Sequence, residues 1–379
     1  MVFTTRYRLK WMSLAWLVTV AGVISCGKDP GTETPEPKSP TPYNWIKPAH
    51  FPEPVYDFSE NPLTQEGVKL GMFLFYDGIM SRTNVVGCGT CHQQQAAFTH
   101  HGHELSHGVD DLIGIRNSPA VQNVAWSTSF FWDGGVPHLD LVPLNPIGNP
   151  VELDESVPTI ISKLNAGPRP GAKMPIDYPK MFQEAFGSRE INTERMMKAL
   201  SQFMLTMVSA TSKYDFYLMG DQAALSATEK EGLQLFRKNC TGCHAGVLQT
   251  DQSFRNNGLY PARIDDKGRF DITGKEEDRY KFKVPSLRNI GVTAPYMHDG
   301  RYHSLEEVLQ HYNDSVGLLA NSGLDAAKTL DPLLADTKRP GIPLSNEEQK
   351  AIIAFLHTLT DEVFLKNPKL ADPGIGNAL

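Results

Sequence analysis

Cys88-Gly89-Thr90-Cys91-His92 and, in the far half of the chain, Cys240-Thr241-Gly242-Cys243-His244 are two copies of one pattern. Two thiols at this spacing on a nascent helix can add to the two vinyl groups of one haem, and the adjacent histidine then lies under the iron as proximal ligand. A redox dithiol and half a zinc site are the competing readings. The first needs no histidine, and the second wants further Cys or His pairs at matching spacing. Only five cysteines exist, and four of them lie in these two motifs. The pattern therefore predicts two covalently bound c-type haems, one on Cys88, Cys91 and His92 and one on Cys240, Cys243 and His244.

The chain has 379 residues, enough for two domains with real cores, and the composition of an ordinary globular protein. Arg6, Arg8 and Lys10 precede an apolar run from Leu14 to Ile24 that is short for a membrane span but suits a secretory signal over residues 1–25. The run ends in Ser25-Cys26, small residue then cysteine, which resembles the cleavage box of bacterial lipoproteins. Lipidation of Cys26 would account for the one cysteine outside the haem motifs; a thiol trimmed away with the signal is the alternative. Export, with a lipid anchor at the periplasmic or cell-envelope face, also fits c-type haem attachment. Without residues 1–25 the formal charge goes from −7 to −10, an acidic body that argues against nucleic acid and for a small basic or neutral redox partner. Residues 26–48, rich in Pro, Thr, Glu and Lys, read as an extended tether.

Beyond the tether the chain repeats itself. Glu66-Gly67-Val68-Lys69-Leu70 with Leu74-Phe75 leads into the first Cys motif, and Glu231-Gly232-Leu233-Gln234-Leu235-Phe236 into the second. Arg116-Asn117 is echoed by Arg288-Asn289, and Phe131-Trp132-Asp133-Gly134 by Met297-His298-Asp299-Gly300, with Leu139 and Leu305 following at equal distances. Each half finishes in an amphipathic helix. One starts at Asn192 or Thr193 and carries Met196, Leu200, Phe203 and Met207. The other is opened by a Ser345/Glu348 capping box and carries Ile352, Phe355, Leu356 and Leu359. No alternating strand pattern persists. The expected fold is mainly α, with two cytochrome-c-like helical domains over 49–215 and 216–379 and the haems facing a shared interface.

Seven motifs in order now stand out. They are the first CxxCH, Arg116-Asn117-Ser118-Pro119, Phe131-Trp132-Asp133-Gly134, Asn149-Pro150-Val151-Glu152, the second CxxCH, Val284-Pro285-Ser286-Leu287-Arg288-Asn289 and Pro295-Tyr296-Met297-His298-Asp299-Gly300. Together they resemble the bacterial dihaem cytochrome c peroxidases and their relatives of the MauG type, over about residues 50–360. The resemblance implies that the haem at His92 meets hydrogen peroxide. It likewise implies that the haem at His244 takes electrons from a c-type cytochrome or similar donor and passes them inward. It makes Glu152 the distal acid that moves a proton between the peroxide oxygens, and Trp132 the residue that couples the haems. His298 would lie near the second haem in a structural or electronic role. The resemblance also implies an interdomain Ca²⁺ held by Asn117, Thr293 and Pro295, hard oxygen donors of the right kind.

Three departures bear on function. Counting from His298, the place of a methionine axial ligand holds Tyr312, the MauG-type residue, with His311 as the alternative ligand. A tyrosinate favours ferric iron where methionine favours ferrous. Val142 stands where a distal glutamine is common, which removes one polar contact to peroxide. The loop Thr99–Gly108 offers His100, His101, His103 and His107, and His107-Gly108 is one residue out of register with the pair that blocks the first iron in some members. An open first haem is the expectation. Peroxide reduction is therefore the leading reading. MauG-like oxidation of a partner protein's aromatic residues is the runner-up, and a non-catalytic electron carrier comes third. The donor, the need for prior reduction and a homodimer are left open.

Overall fold

Four helices set the frame, and their sequences explain why they pair. In the computed structural model, which describes residues 39–167, 174–259, 265–336 and 338–375, the first is Gln65–Tyr76, opened by Thr64, whose hydroxyl accepts from the Gly67 N–H. The helix Thr193–Leu205, capped by Asn192, packs across it. In the far half the helix Ala227–Asn239, with a Ser226/Glu229 capping box, packs against Asn346–His357, whose Ser345/Glu348 box is the expected one. The fold is mainly helical. Regular strand among the described residues is confined to the two-residue antiparallel pair Phe254–Arg255 and Phe282–Lys283.

The two crossings are copies. A Cβ built on Gly71 would stand 1.9 Å from the Ala199 carbonyl oxygen and 3.0 Å from Phe203 Cβ; on Gly232 it would stand 1.9 Å from the Ala351 oxygen and 3.0 Å from Phe355 Cβ. Only glycine lets the backbones approach so closely. The repeat therefore aligns Gly71 with Gly232. On this register Leu74-Phe75 matches Leu235-Phe236, and Glu66-Gly67 lies four residues ahead of the counterpart of Glu231-Gly232.

The second echo also needs correcting. Asn289 has a left-handed backbone (φ 59°), donates its N–H to the Leu359 carbonyl and accepts from the Asp361 N–H. Its counterpart is Asn123 (φ 53°), which donates to Met207 and accepts from Ser209. Arg116-Asn117 occupies a different turn. A shared dipeptide misled where shared backbone geometry does not. The echo of Phe131-Trp132 in Met297-His298 holds: Phe131 and Met297 both have positive φ (65° and 71°), and each follows a residue in a matching short bridge, Phe130 with Val136 and Tyr296 with Tyr302.

The apolar side chains gather into two clusters. The first centres on Leu70, Leu74, Phe75, Leu200 and Phe203, and the second on Leu233, Phe236, Ile352, Phe355 and Leu356. Two findings differ from the expected boundaries. Phe364, Leu365, Leu370 and Ile375, which follow the last long helix, pack in the first cluster, and Tyr76 donates its hydroxyl proton to the Leu370 carbonyl. The end of the chain thus returns to the first half. The expected tether also ends early. Pro42 bridges to Thr64, Tyr43 N–H donates to the Leu63 carbonyl, and Trp45 stacks between Phe58 and Trp126. The aromatic residues Tyr43 and Trp45 make this segment an arm on the body, because their apolar area is better buried than solvated. The described residues fall in one compact unit, and we propose that its halves meet near the helix Lys213–Leu218, where the 215/216 boundary was expected. Cys26, the expected signal and the residues up to 38 lie outside the described residues.

A buried ion pair ties the helix Lys213–Leu218 to the turn that holds Arg288. Arg288 grips Asp215 through two bonds of 2.9 and 2.7 Å, with both side chains fully buried, and Ser212 caps the same carboxylate. Burial pushes the Asp215 carboxyl up, but Arg288 and Ser212 outweigh it and hold the group below its ordinary range.

Candidate haem cavity and peroxide site

A single cavity of about 870 Å³ runs between the two Cys motifs. His92 and His244 both line it, together with Cys240 and Cys243, Trp132, Glu152, His298 and Tyr312. Each histidine is oriented from behind. His92 Nδ1 lies 2.7 Å from the Phe98 carbonyl and His244 Nδ1 lies 3.3 Å from the Gln249 carbonyl. A backbone carbonyl accepts from Nδ1–H, so Nε2 is left as the lone-pair nitrogen, which is the ligating form. Burial lowers the pKa of both rings and keeps them neutral. Cys88, Cys91, Cys240 and Cys243 form no disulfides. Burial pushes the Cys88 thiol up to about 12 and the Cys91 thiol up to about 11. Gly89 and Gly242 keep both motifs slim, since a Cβ would meet Tyr76 Cδ1 at 2.4 Å and Leu333 Cδ1 at 2.7 Å respectively. Paired thiols, an oriented imidazole and a large, mostly apolar cavity fit one haem at each motif.

Glu152 enters the cavity from the loop after a short helix, Leu144–Gly148. Asn149 Nδ2 donates to its Oε1 at 2.6 Å, and the Glu152 carbonyl accepts from the Val109 N–H. Burial raises the pKa of this carboxyl, with the Asn149 bond pulling the other way. The loop comes this close because Gly108 has no side chain; a Cβ there would meet the Val151 oxygen at 2.3 Å. Val142, Asn145 and Asn149 line the same cavity. Asn149 is a site residue that the motif letters alone do not single out; its i, i+3 spacing to Glu152 is the signal in the sequence.

Trp132 lies between the halves. Its indole N–H donates to the Asn117 carbonyl (2.9 Å), and its ring meets His298 edge-on with centroids 6.5 Å apart. His298 in turn stacks on Phe282 at 3.7 Å and 13°, and burial pushes its pKa down to about 4. Sequence reasoning missed Phe282, because a lone phenylalanine before Val-Pro-Ser-Leu carries no motif.

Tyr312 faces the cavity and His311 does not. The His311 ring lies 3.0 Å from the Asn257 carbonyl through Nε2 and 3.3 Å from the Tyr302 hydroxyl through Nδ1. This difference arises in a single π-helical turn, His311–Ser315, a distortion that re-aims side chains and is frequent at functional sites. Burial pushes the Tyr312 phenol up to about 12. None of His100, His101, His103 and His107 lines the cavity. The rings of His100 and His103 stack at 4.3 Å, and His107 Nδ1 lies 2.6 Å from Asp111. Among the described residues no group of three or more His, Cys, Asp or Glu side chains converges as a metal site.

Asn117, Thr293 and Pro295 line the same cavity. The Asn117 amide nitrogen donates to the His103 and Glu104 carbonyls, so Oδ1 is the side-chain oxygen that could ligate a cation. The Ala294–Pro295 peptide is cis.

These features define a c-type dihaem oxidoreductase scaffold, and the comparisons agree. A family model for di-haem cytochrome c peroxidase matches residues 65–223. The chain is 34% identical to the methylamine utilization protein MauG of Methylorubrum extorquens, with 82% of this chain and 83% of that one covered. It is 30% identical to the cytochrome c551 peroxidase of Pseudomonas aeruginosa, with 85% and 86% covered. A solved MauG-like protein associated with microbial copper homeostasis superposes with a TM-score of 0.76 at 32% identity, covering 87% of this chain and 99% of that one. The chain belongs to the di-haem cytochrome c peroxidase family, whose members named here include both peroxidases and MauG proteins. Family membership implies two c-type haems.

Proposed function

We propose that the protein reduces hydrogen peroxide to two waters, consuming two electrons and two protons, with electrons from a c-type cytochrome or similar exported donor. The observation that carries this reading is the half-buried Glu152 carboxyl, held by Asn149 at the cavity that His92 also lines. Haem iron bound at His92 would supply the coordination position and the electron inventory. The chain's own part is proton handling and orientation. Glu152 takes the proton from the near peroxide oxygen and returns it to the departing one, and its raised pKa suits a group that must do both. Val142 presents no polar side-chain atom, while Asn145 and Asn149 are amides that line the same cavity, the second of them already donating to Glu152. Trp132, held by Asn117 and His298, couples the halves.

None of the loop histidines faces the cavity, which supports a first iron open to peroxide without prior reduction. Asn117 Oδ1 with oxygens of Thr293 and Pro295 would hold Ca²⁺ and brace the carbonyl that fixes Trp132. Cys26 as lipid anchor, the cell-envelope location and the donor belong to the same proposal.

Tyr312 favours a second reading. It lines the cavity where His244 also faces, whereas His311 is committed elsewhere. As a tyrosinate ligand it would hold the second iron ferric and disfavour ordinary donors, which suits MauG-like oxidation of aromatic residues on a partner protein. Peroxide added to the holoprotein without donor separates the two. Rapid return to the resting spectrum once reduced cytochrome is supplied supports the peroxidase, and a long-lived oxidised species indifferent to the cytochrome supports the MauG-like activity.

A further inference from the structure

The cavity must accept carboxylates as well as iron. Each haem carries two propionates, and a buried anion needs a partner. Four cationic side chains line the cavity among the described residues: Arg116, Arg255, Lys283 and Arg288. Three are already matched. Arg116 is paired with Asp133 and Asp266, Arg255 with Asp251 and Asp331, and Arg288 with Asp215.

Lys283 is different. Its ammonium donates to the Ser129 carbonyl and lies 5.8 Å from the Phe130 ring centroid, with no carboxylate beside it among the described residues. Burial without a counter-charge pulls its pKa down to about 8. The main chain places it firmly. Its N–H donates to the Trp132 carbonyl at 2.7 Å, and the neighbouring Phe282 stacks on His298. The strand residue comes from the far half, and its ammonium reaches a carbonyl of the near half.

We propose that Lys283 is the counter-ion of a haem propionate in this cavity and sets that haem's reduction potential at the Trp132 bridge. The inference rests on the two-haem reading and not on the peroxidase reading. Neutralising a propionate favours the reduced, less positive iron, so loss of the cation lowers the potential. Lys283 is here a positioning and tuning residue.

The test is a spectropotentiometric titration of the holoprotein, Lys283→Gln and Lys283→Arg, with haem content per chain measured first. In Lys283→Gln one of the two couples should fall by at least a tenfold change in its reduction equilibrium, 59 mV for one electron, while the other stays put. Lys283→Arg, which keeps the charge, should hold both within about threefold of the unaltered protein, or roughly half that interval. Two unmoved couples in Lys283→Gln, or an arginine variant that behaves like glutamine, overturns the proposal. If Lys283→Gln fails to take up two haems, resonance Raman spectra of Lys283→Arg decide. A propionate-bending band that moves for one haem while the axial-ligand bands do not supports the ion pair, and an unmoved band overturns it. Peroxide turnover enters none of these readouts, so a failure here is distinct from a failure of the proposed function.

Discussion

Gly232→Ala perturbs the crossing that carries the second Cys motif. A Cβ at this position would lie 1.9 Å from the Ala351 oxygen and 2.6 Å from its carbonyl carbon. Both are backbone atoms, so no side chain can swing away, and the helices must part by roughly 1.5 Å to restore ordinary contact, with closely packed neighbours resisting. Overpacking of this kind costs about 1–3 kcal/mol and occasionally more. Alanine's better helix propensity returns about 1 kcal/mol. A net loss of up to about 2 kcal/mol corresponds to a fall in Tm of up to roughly 8 °C for a half of this size. The same calculation applies to Gly71→Ala, which meets the Ala199 backbone at the same 1.9 Å. Gly67→Ala makes the informative contrast. Its Cβ would meet Gln202 Oε1 at 2.2 Å and the Thr64 hydroxyl at 2.7 Å, which are side-chain atoms and not backbone. Thermal unfolding of the holoproteins by far-UV circular dichroism should place Gly71→Ala and Gly232→Ala together, below Gly67→Ala. If Gly67→Ala and Gly232→Ala fall together while Gly71→Ala is neutral, the repeat register derived from the structure is wrong.

Further outcomes follow from single contacts. Asn149→Ala removes the amide that opposes the burial-raised pKa of Glu152. The deprotonated base is lost as pH falls, so the acid limb of kcat/KM for peroxide should move to higher pH with the alkaline plateau largely kept; an unmoved limb contradicts the proton role. Arg288→Met removes both guanidinium bonds from the fully buried Asp215 carboxylate, leaving it Ser212 and His50, and should destabilise by up to about 3–5 kcal/mol in urea titrations at neutral pH. Because the folded Asp215 pKa lies below its ordinary 3.8, the unaltered pair contributes fully above that value. Its contribution is lost as pH falls through the folded pKa, so the gap between Arg288→Met and the unaltered protein should narrow only in acid. Tyr312→Phe should change the charge-transfer region of the second haem's ferric spectrum while His311→Ala leaves it alone; the reverse pattern would make His311 the ligand.

The parts of this molecule that were legible beforehand are those whose chemistry sits in a few adjacent letters. Cys-x-x-Cys-His announces haem because thiols and imidazole must be contiguous, and Ser345 with Glu348 announces a helix start for the same local reason. Gly71 and Gly232 are paired by a crossing partner more than a hundred residues away, which no local alignment can weigh. Asn123 and Asn289 share a left-handed turn but not their flanking letters, so identical Arg-Asn dipeptides drew the eye to the wrong pair. The arm from Thr41 to Trp45 looked like linker by composition, and two aromatic side chains decide otherwise. Phe282 and Lys283 owe their places to a two-residue strand and to cavity neighbours from the other half, so nothing near them in sequence could mark them. The return of Phe364 and Leu370 to the first cluster is likewise a tertiary fact.

Peroxide turnover by the holoprotein with a reduced small c-type cytochrome as donor, compared with Glu152→Gln, tests the proton-handling role of Glu152 most directly. The proposal predicts two cytochromes oxidised per peroxide in the unaltered protein and a loss of about 10²–10⁴-fold in kcat/KM in the variant, the scale of a positioned acid–base group. Equal rates in the two proteins, or no cytochrome oxidation by a preparation carrying both haems, would contradict it.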